Sequence, residues 1–417
     1  MLEEREIPVQ SLELGMWVCR LDRPWAGTPF LLQGLLIETP ADVKMLAEYC
    51  KTVFVDVDLS KPEIAAKLRA LPRPANGAKS PFSASGAVQA AMPPPQVPAP
   101  HKTGRMPTPD DLDTARAAIA TLVDRTNHLF ESLREGRLVT REAIEQAAEP
   151  VVRNVTQNQD AFLWLMALKR HSNYEYLHAM NCCALSAAFA HELALPPDRI
   201  NAIAVGGLIM NIGMVDVPDD ILSVRRELRS DERAIVQTHV AHGIRRVEAM
   251  GFSDVDTLAM VRCHHERYDG TGYPSGLQGA GIPMAGRLAA IVDAFDAMTA
   301  DRPHRFAISR SESLHELYCQ RGKHFHSELV EEFVKCLGIY PVGSLVELNT
   351  GEVAIVMVQN ALLRLRPRIM VLTNELKQTL GHFHSMDLSE TREDASVHIL
   401  RTLGPGAFGL DPSELFL

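Results

Sequence analysis

The chain has 417 residues, of which 46% are hydrophobic and 23% charged, enough for two or three domains that each bury a core. A net charge of -10 argues against non-specific binding to a nucleic-acid backbone, while leaving room for a small anionic ligand in a local basic pocket. No apolar run of membrane-spanning length is free of charge, the opening MLEEREIPVQ lacks the apolar core of a secretory signal, and the seven cysteines show no CxxC spacing; these features predict a cytoplasmic protein with reduced thiols and no cysteine zinc cage.

Residues 1–66 alternate strand-like runs (MWVCRL, FLLQGLLI, TVFVDV) with a helix-like piece, ADVKMLAEYC, and predict a small α+β domain. Residues 67–109 are rich in Pro, Ala, Gly and Ser; burying too little apolar area to offset ordering entropy, they predict a disordered linker. From residue 110 to about 338 the apolar spacing is helical. It covers DLDTARAAIATLVDRTNHLFESLREG, REAIEQAAEPVVRNVTQN, YEYLHAMNCCALSAAFAHELAL and PDRINAIAVGGLIMNIGM, then DERAIVQTHVAHGIRRVEAMG, VDTLAMVRCHHERYDG and MAGRLAAIVDAFDAMTAD. Ser230 before Asp231 and Glu232 reads as a helix start, the acids meeting the positive end of the dipole. Near the C-terminus, two strand-like runs joined by Asn349-Thr350-Gly351 predict a short β-hairpin-like extension. The expected fold is therefore mainly α, with residues 110–417 as one helical domain whose core is 170–340.

The helical region carries His178, His239, His264, His265 and Asp293. Each taken alone reads as a structural residue at the edge of the core. Side chains at 264 and 265 would point about 100° apart on a straight helix. The doublet, however, precedes YDGTGYP, where the helix must end, so both rings can turn toward one point. Imidazole nitrogens with a carboxylate oxygen suit zinc, iron or manganese.

The string HHERYDGTGYPSGLQGAGIPMAGRLAAIVDAFDAMTADRPHR resembles the HD-GYP domain, a bacterial family of phosphodiesterases that degrade cyclic di-GMP; the similarity runs from Tyr174 to Tyr340. The segments IPVQSLELGMWVCRLDRPWAGTPFLLQG and VFVDV resemble the small domain of unknown function often found ahead of it. The resemblance implies an HD-superfamily helical fold. It further implies metal ligation by His178, His239, His264, His265 and Asp293, and it gives His242 no role beyond structure. The GYP loop, Gly272, Tyr273 and Pro274, would pack on the nucleotide and contact diguanylate cyclase (GGDEF) partners, and Arg302 and Arg305 would hold ligand phosphate.

GGLIMNIGMVDVPDDIL departs from the family signature. Met210 stands where the family has the histidine of its HD pair, Asn211 where it has the metal-bridging aspartate, and Met214 where it has a phosphate-holding lysine. A thioether is a poor ligand for these metals, and a neutral amide, offering only a carbonyl oxygen, disfavours a stable two-metal centre. The expectation is a degenerate site with one divalent metal at most, or none, in a protein that senses cyclic di-GMP or scaffolds other proteins. The alternatives are a slow phosphodiesterase using an incomplete metal site and a purely structural helical domain, which a His178–Asp293 pair would favour.

Overall fold

A computed structural model describes residues 4–21, 35–37, 39–57, 60–70, 108–168, 174–224, 226–300, 306–360, 363–390, 397–404 and 406–410. The chain divides into two compact units, Met1–His101 and Lys102–Leu417.

In the first unit, β1 (Glu4–Pro8), β2 (Trp17–Leu21), β3 (Leu35–Leu36) and β4 (Thr52–Asp56) form an antiparallel sheet in the order β1-β4-β2-β3. The β-branched run of β4 suits its interior position, with Val53 and Val55 fully buried. Helix α1 (Pro40–Tyr49) starts at a capping box: Thr39 accepts from the Asp42 amide at 3.3 Å and Asp42 accepts from the Thr39 amide at 2.7 Å. Helix α2 (Pro62–Ala70) carries the chain into the Pro-rich stretch, of which residues 71–107 lie outside the described residues.

The second unit is mainly helical, with α3 (Pro109–Arg134), α4 (Arg141–Leu168), α5 (Tyr174–Glu192), α6 (Pro197–Ile209) and the short α7 (Asp219–Leu222). There follow α8 (Ser230–Gln237), α9 (His239–Ala249), α10 (Val255–Cys263), α11 (Met284–Thr299), α12 (Arg310–Cys319) and α13 (Ser327–Leu337). Helix α5 is buried on nearly every face because its Ala-, Cys- and Leu-rich sequence presents no polar side, and α3, α4, α6, α11 and α13 pack around it. The helical spacing of 141–158 ends where the backbone of α4 breaks, at Asn158 (φ -153°). The Asn158 side chain accepts from the Ala161 amide at 3.2 Å and so caps a continuation to Leu168.

The spacing over 231–251 predicts one helix; the structure divides it at Thr238. Thr238 Oγ1 donates to the Ile235 carbonyl and His239 Nδ1 to the Val236 carbonyl, each at 2.7 Å, so side chains take acceptors that a continuous helix would use. The predicted hairpin is β5 (Leu345–Leu348) with β6 (Val353–Val358). It lies inside a larger antiparallel sheet completed by β7 (Arg368–Thr373), β8 (Thr379–Asp387) and β9 (Ile399–Thr402), in the order β8-β7-β6-β5-β9. Trp164 of α4 packs against Met357 and Val358 of β6 and so joins this sheet to the helices. Among the described residues, no helix is long and apolar enough to cross a membrane.

Candidate functional site

The site is built where helices end. Helix α6 runs out at Met210, whose side chain is completely buried and takes no part in lining the cavity described below. The chain then turns through the 3-10 segment Ile212–Asp216. There a Cβ on Gly213 would overlap the His239 carbonyl oxygen and lie 2.5 Å from the Gly243 nitrogen. Only glycine allows this turn to sit directly on the first turn of α9, which carries His239. Helix α10 stops at Cys263, so His264 and His265 leave the helix at its end.

His239 Nδ1 donates to the Val236 carbonyl, and His264 Nδ1 lies 3.1 Å from the carbonyls of Met260 and Val261. With those hydrogens committed, each Nε2 carries a lone pair, and the two Nε2 atoms face each other at 3.1 Å. Facing lone pairs in a site 0–1% exposed repel unless a cation lies between them. His265 joins them, with one ligand atom from each residue within 4.8 Å of the others. Burial lowers the pKa of His239, brings His264 down to about 4 and, with His264 beside it, holds His265 well below the usual value. The trio is neutral at pH 7, the state that binds a metal. Its donor set therefore fits a zinc, iron or manganese ion.

Asp293 and Asp296 sit one turn apart on one face of α11. Asp296 accepts from His178 Nδ1 at 2.6 Å and from Asn181 Nδ2 at 2.8 Å. Asp293 Oδ1 lies 3.1 Å from His178 Nε2, while its Oδ2 faces His265 Nδ1 at 3.8 Å. Burial alone would depress the His178 pKa. Charge interactions with Cys182 and Tyr174 and the bonds to Asp293 and Asp296 nevertheless hold it well above its ordinary value.

The five residues marked in the sequence thus do not form one ligand set. His239, His264 and His265 converge, Asp293 turns one oxygen toward them, and His178 is held between two carboxylates. The His178–Asp293 pair exists, yet it leaves the histidine trio outside it. Cys182 Sγ lies 3.7 Å from both ring nitrogens of His178 and so is directed at neither one in particular. Asn211 completes this side: its Nδ2 is 3.0 Å from Asp293 Oδ1 and 3.1 Å from His178 Nε2.

A cavity of about 440 Å³ opens beside the trio, bounded in part by Asn211, Met214, His239, His265, Arg267 and Tyr273. Tyr273 stacks on His265, ring centroids 4.7 Å apart at 25°. The loop that delivers it passes so close to the His doublet that a Cβ on Gly272 would meet the Arg267 amide and lie 2.5 Å from the Glu266 Cα and the His265 oxygen. Pro274 follows on the exposed edge of the loop. His242 pairs with Asp216 at 3.3 Å and lies outside the cavity lining. Arg302 and Arg305 lie outside the described residues.

Sequence reading passed over Asp296, Glu266 and Arg267. The three-residue spacing from Asp293 was the available signal for Asp296, and Glu266 stands inside the HHE string itself. The Glu266 carboxylate, 1% exposed, accepts from the amides of Ser275 at 2.8 Å and Leu277 at 3.0 Å and so ties the loop down. Glu266→Gln turns one of two acceptors into a donor facing an N–H, and is expected to cost about 1–3 kcal/mol. Chemical denaturation measures it, and an unchanged midpoint would mean that other contacts hold the loop.

Three family models match the chain: an HD domain over residues 151–329, a domain of unknown function (DUF3391) over 4–144, and a KOW domain associated with HD domains over 345–404. A cyclic di-GMP phosphodiesterase of Pseudomonas aeruginosa is 31% identical over 373 residues, which cover 88% of this chain and 84% of that protein. A 3'3'-cGAMP-specific phosphodiesterase of Vibrio cholerae is 33% identical over 169 residues, 40% of this chain and 32% of its own length. A cyclic di-GMP phosphodiesterase response regulator of Xanthomonas campestris is 33% identical over 148 residues, 35% of this chain and 39% of its own. The chain spans less than half the length of these last two relatives, but most of the first. With an HD domain, the HHE and GYP strings in one site, and a relative matched over most of its length, the chain belongs to the HD-GYP family.

Proposed function

We propose that this protein acts in cyclic di-GMP signalling as a nucleotide sensor or interaction scaffold that hydrolyses its ligand weakly or not at all. The observation that carries this reading is Asn211, whose amide nitrogen stands within 3.1 Å of both His178 Nε2 and Asp293 Oδ1. An aspartate there would be a third carboxylate around His178, beside Asp293 and Asp296, an excess of negative charge that bound cations balance; the neutral amide adds none and donates to Asp293 Oδ1. Two divalent ions about 4 Å apart repel by roughly 16 kcal/mol at an effective dielectric near 20, and a neutral amide does not offset that. The remaining donors suit a single ion at His239, His264 and His265, with Asp293 Oδ2 nearby. Such an ion supplies Lewis acidity toward a phosphodiester when bound.

The chain's own residues do the rest of the binding. The cavity volume lies in the roughly 300–1,000 Å³ range of small-molecule pockets. The Tyr273 ring, braced by His265, offers a flat face on which a nucleobase can stack. Met214 lines the cavity where the family has a lysine and brings no charge. The names of the P. aeruginosa and X. campestris relatives support cyclic di-GMP as the ligand. Residues 274–276 are exposed, which leaves the outer edge of the loop open to the diguanylate cyclase contact that the family resemblance implies.

The facing lone pairs of His239 and His264 favour a second reading, slow hydrolysis at a single metal. Metal analysis, calorimetry and turnover on one preparation separate the readings. The proposal expects no more than one ion per chain, heat on mixing with cyclic di-GMP, and little hydrolysis with added manganese or iron. Two ions per chain with rapid turnover would overturn it, and no heat at all would leave a purely structural helical domain.

A further inference from the structure

A cyclic dinucleotide carries two phosphodiester charges, and the cavity must meet them without the lysine replaced by Met214. Among the described residues lining the cavity, Arg267 is the sole Lys or Arg side chain. The acids that share the lining are otherwise engaged: Glu175 pairs with Arg134 at 2.9 Å, Glu316 bonds Gln320, and Asp293 faces His178. Arg267 itself makes no ion pair among the described residues. The guanidinium's one hydrogen bond among the described residues is a long one, from Nη1 to the Glu266 carbonyl at 3.3 Å. The guanidinium carbon stands 5.1 Å from the centroid of the Phe325 ring, a contact that fixes the group while leaving most of its N–H donors unused.

The backbone at Arg267 is equally constrained, because the loop at Gly272 passes directly over its amide. Arg267 is thus held two residues from His265, on which Tyr273 stacks. One loop therefore presents a base platform and a cation to the same cavity. From this geometry we infer that Arg267 is a ligand-binding residue whose free guanidinium edge holds a phosphate of the nucleotide, taking the part that Met214 cannot play. The inference rests on the cyclic di-GMP reading given above. A guanidinium matches two phosphate oxygens at once, whereas an ammonium at the same place offers a point charge.

The test is calorimetry on the full-length protein with cyclic di-GMP and with its linear product pGpG, at low and high salt. Arg267→Gln is expected to weaken binding about 10- to 100-fold and to flatten its salt dependence, and Arg267→Lys to fall between Gln and wild type. A purely structural role would leave the salt dependence unchanged. Wild-type affinity in Arg267→Gln overturns the inference and leaves the cyclic di-GMP reading standing. Should the Gln variant not fold, wild-type affinity in Arg267→Lys overturns the two-oxygen contact in its place. A wild-type protein that binds neither nucleotide overturns both the inference and the reading it rests on.

Discussion

Asn211→Asp is expected to make the metal-free protein less stable by about 2 kcal/mol and to make its stability depend on added metal. The donor that now lies 3.0 Å from Asp293 Oδ1 becomes a second acceptor, and Asp293 is buried at 5% exposure. The raised pKa of His178 puts one imidazolium beside them, but it is already shared between Asp293 and Asp296, and one positive charge does not balance three carboxylates, so one is protonated or the turn after α6 moves away. Thermal unfolding in chelator and in manganese reads this directly: a lowered transition in chelator that manganese restores is the expected outcome. Adding Met210→His should then raise bound metal by one ion per chain. Met210 is fully buried and outside the cavity lining, so a histidine there must repack toward the site to bind. No gain in metal would show that the end of α6 has settled into a packed arrangement that two substitutions do not reverse.

A comparable loss is expected from a single methyl group at Gly213. The Gly213→Ala methyl would overlap the His239 carbonyl oxygen and crowd the Gly243 amide. Both neighbours are backbone, so no side chain can swing aside; the turn and the start of α9 must separate. Overpacking of this kind costs about 3 kcal/mol. It also moves His239 away from His264, and metal affinity should fall about 10- to 100-fold. The functional half of the prediction is separable from the structural half. Chemical denaturation in chelator measures stability, and competition with a metal-sensitive dye measures affinity. A stable variant with unchanged affinity would show that the contact between turn and helix does not position His239.

Much of the architecture was legible because helical spacing and turn residues act locally. The sequence places α5 and α11 within about three residues of their observed bounds, but carries α6 on to residue 214 and α10 on to 270, where the structure ends them at Ile209 and Cys263. It ran two helices together across Thr238, because the competing bonds from Thr238 and His239 side chains are decided by rotamers that spacing does not encode. The larger sheet around the β5–β6 hairpin was also missed. Strand β8 is largely exposed and alternates weakly, and its place is set by pairing with β7.

By itself, the sequence determined the family, the residues available for chemistry, and the neutral side chains of Asn211 and Met214 in the turn after α6. Those facts follow from residue type, and no packing can restore a charge that is not there. Only the tertiary structure decided how the remaining groups are shared out. It turned His178 toward Asp293 and Asp296, aimed the lone pairs of His239 and His264 at one point, and set Arg267 in the cavity with no acidic partner among the described residues. The physical reason is that each assignment depends on which donors and acceptors meet across helices far apart in the chain. A histidine's role is fixed by what its second nitrogen bonds, and that partner is a neighbour in space.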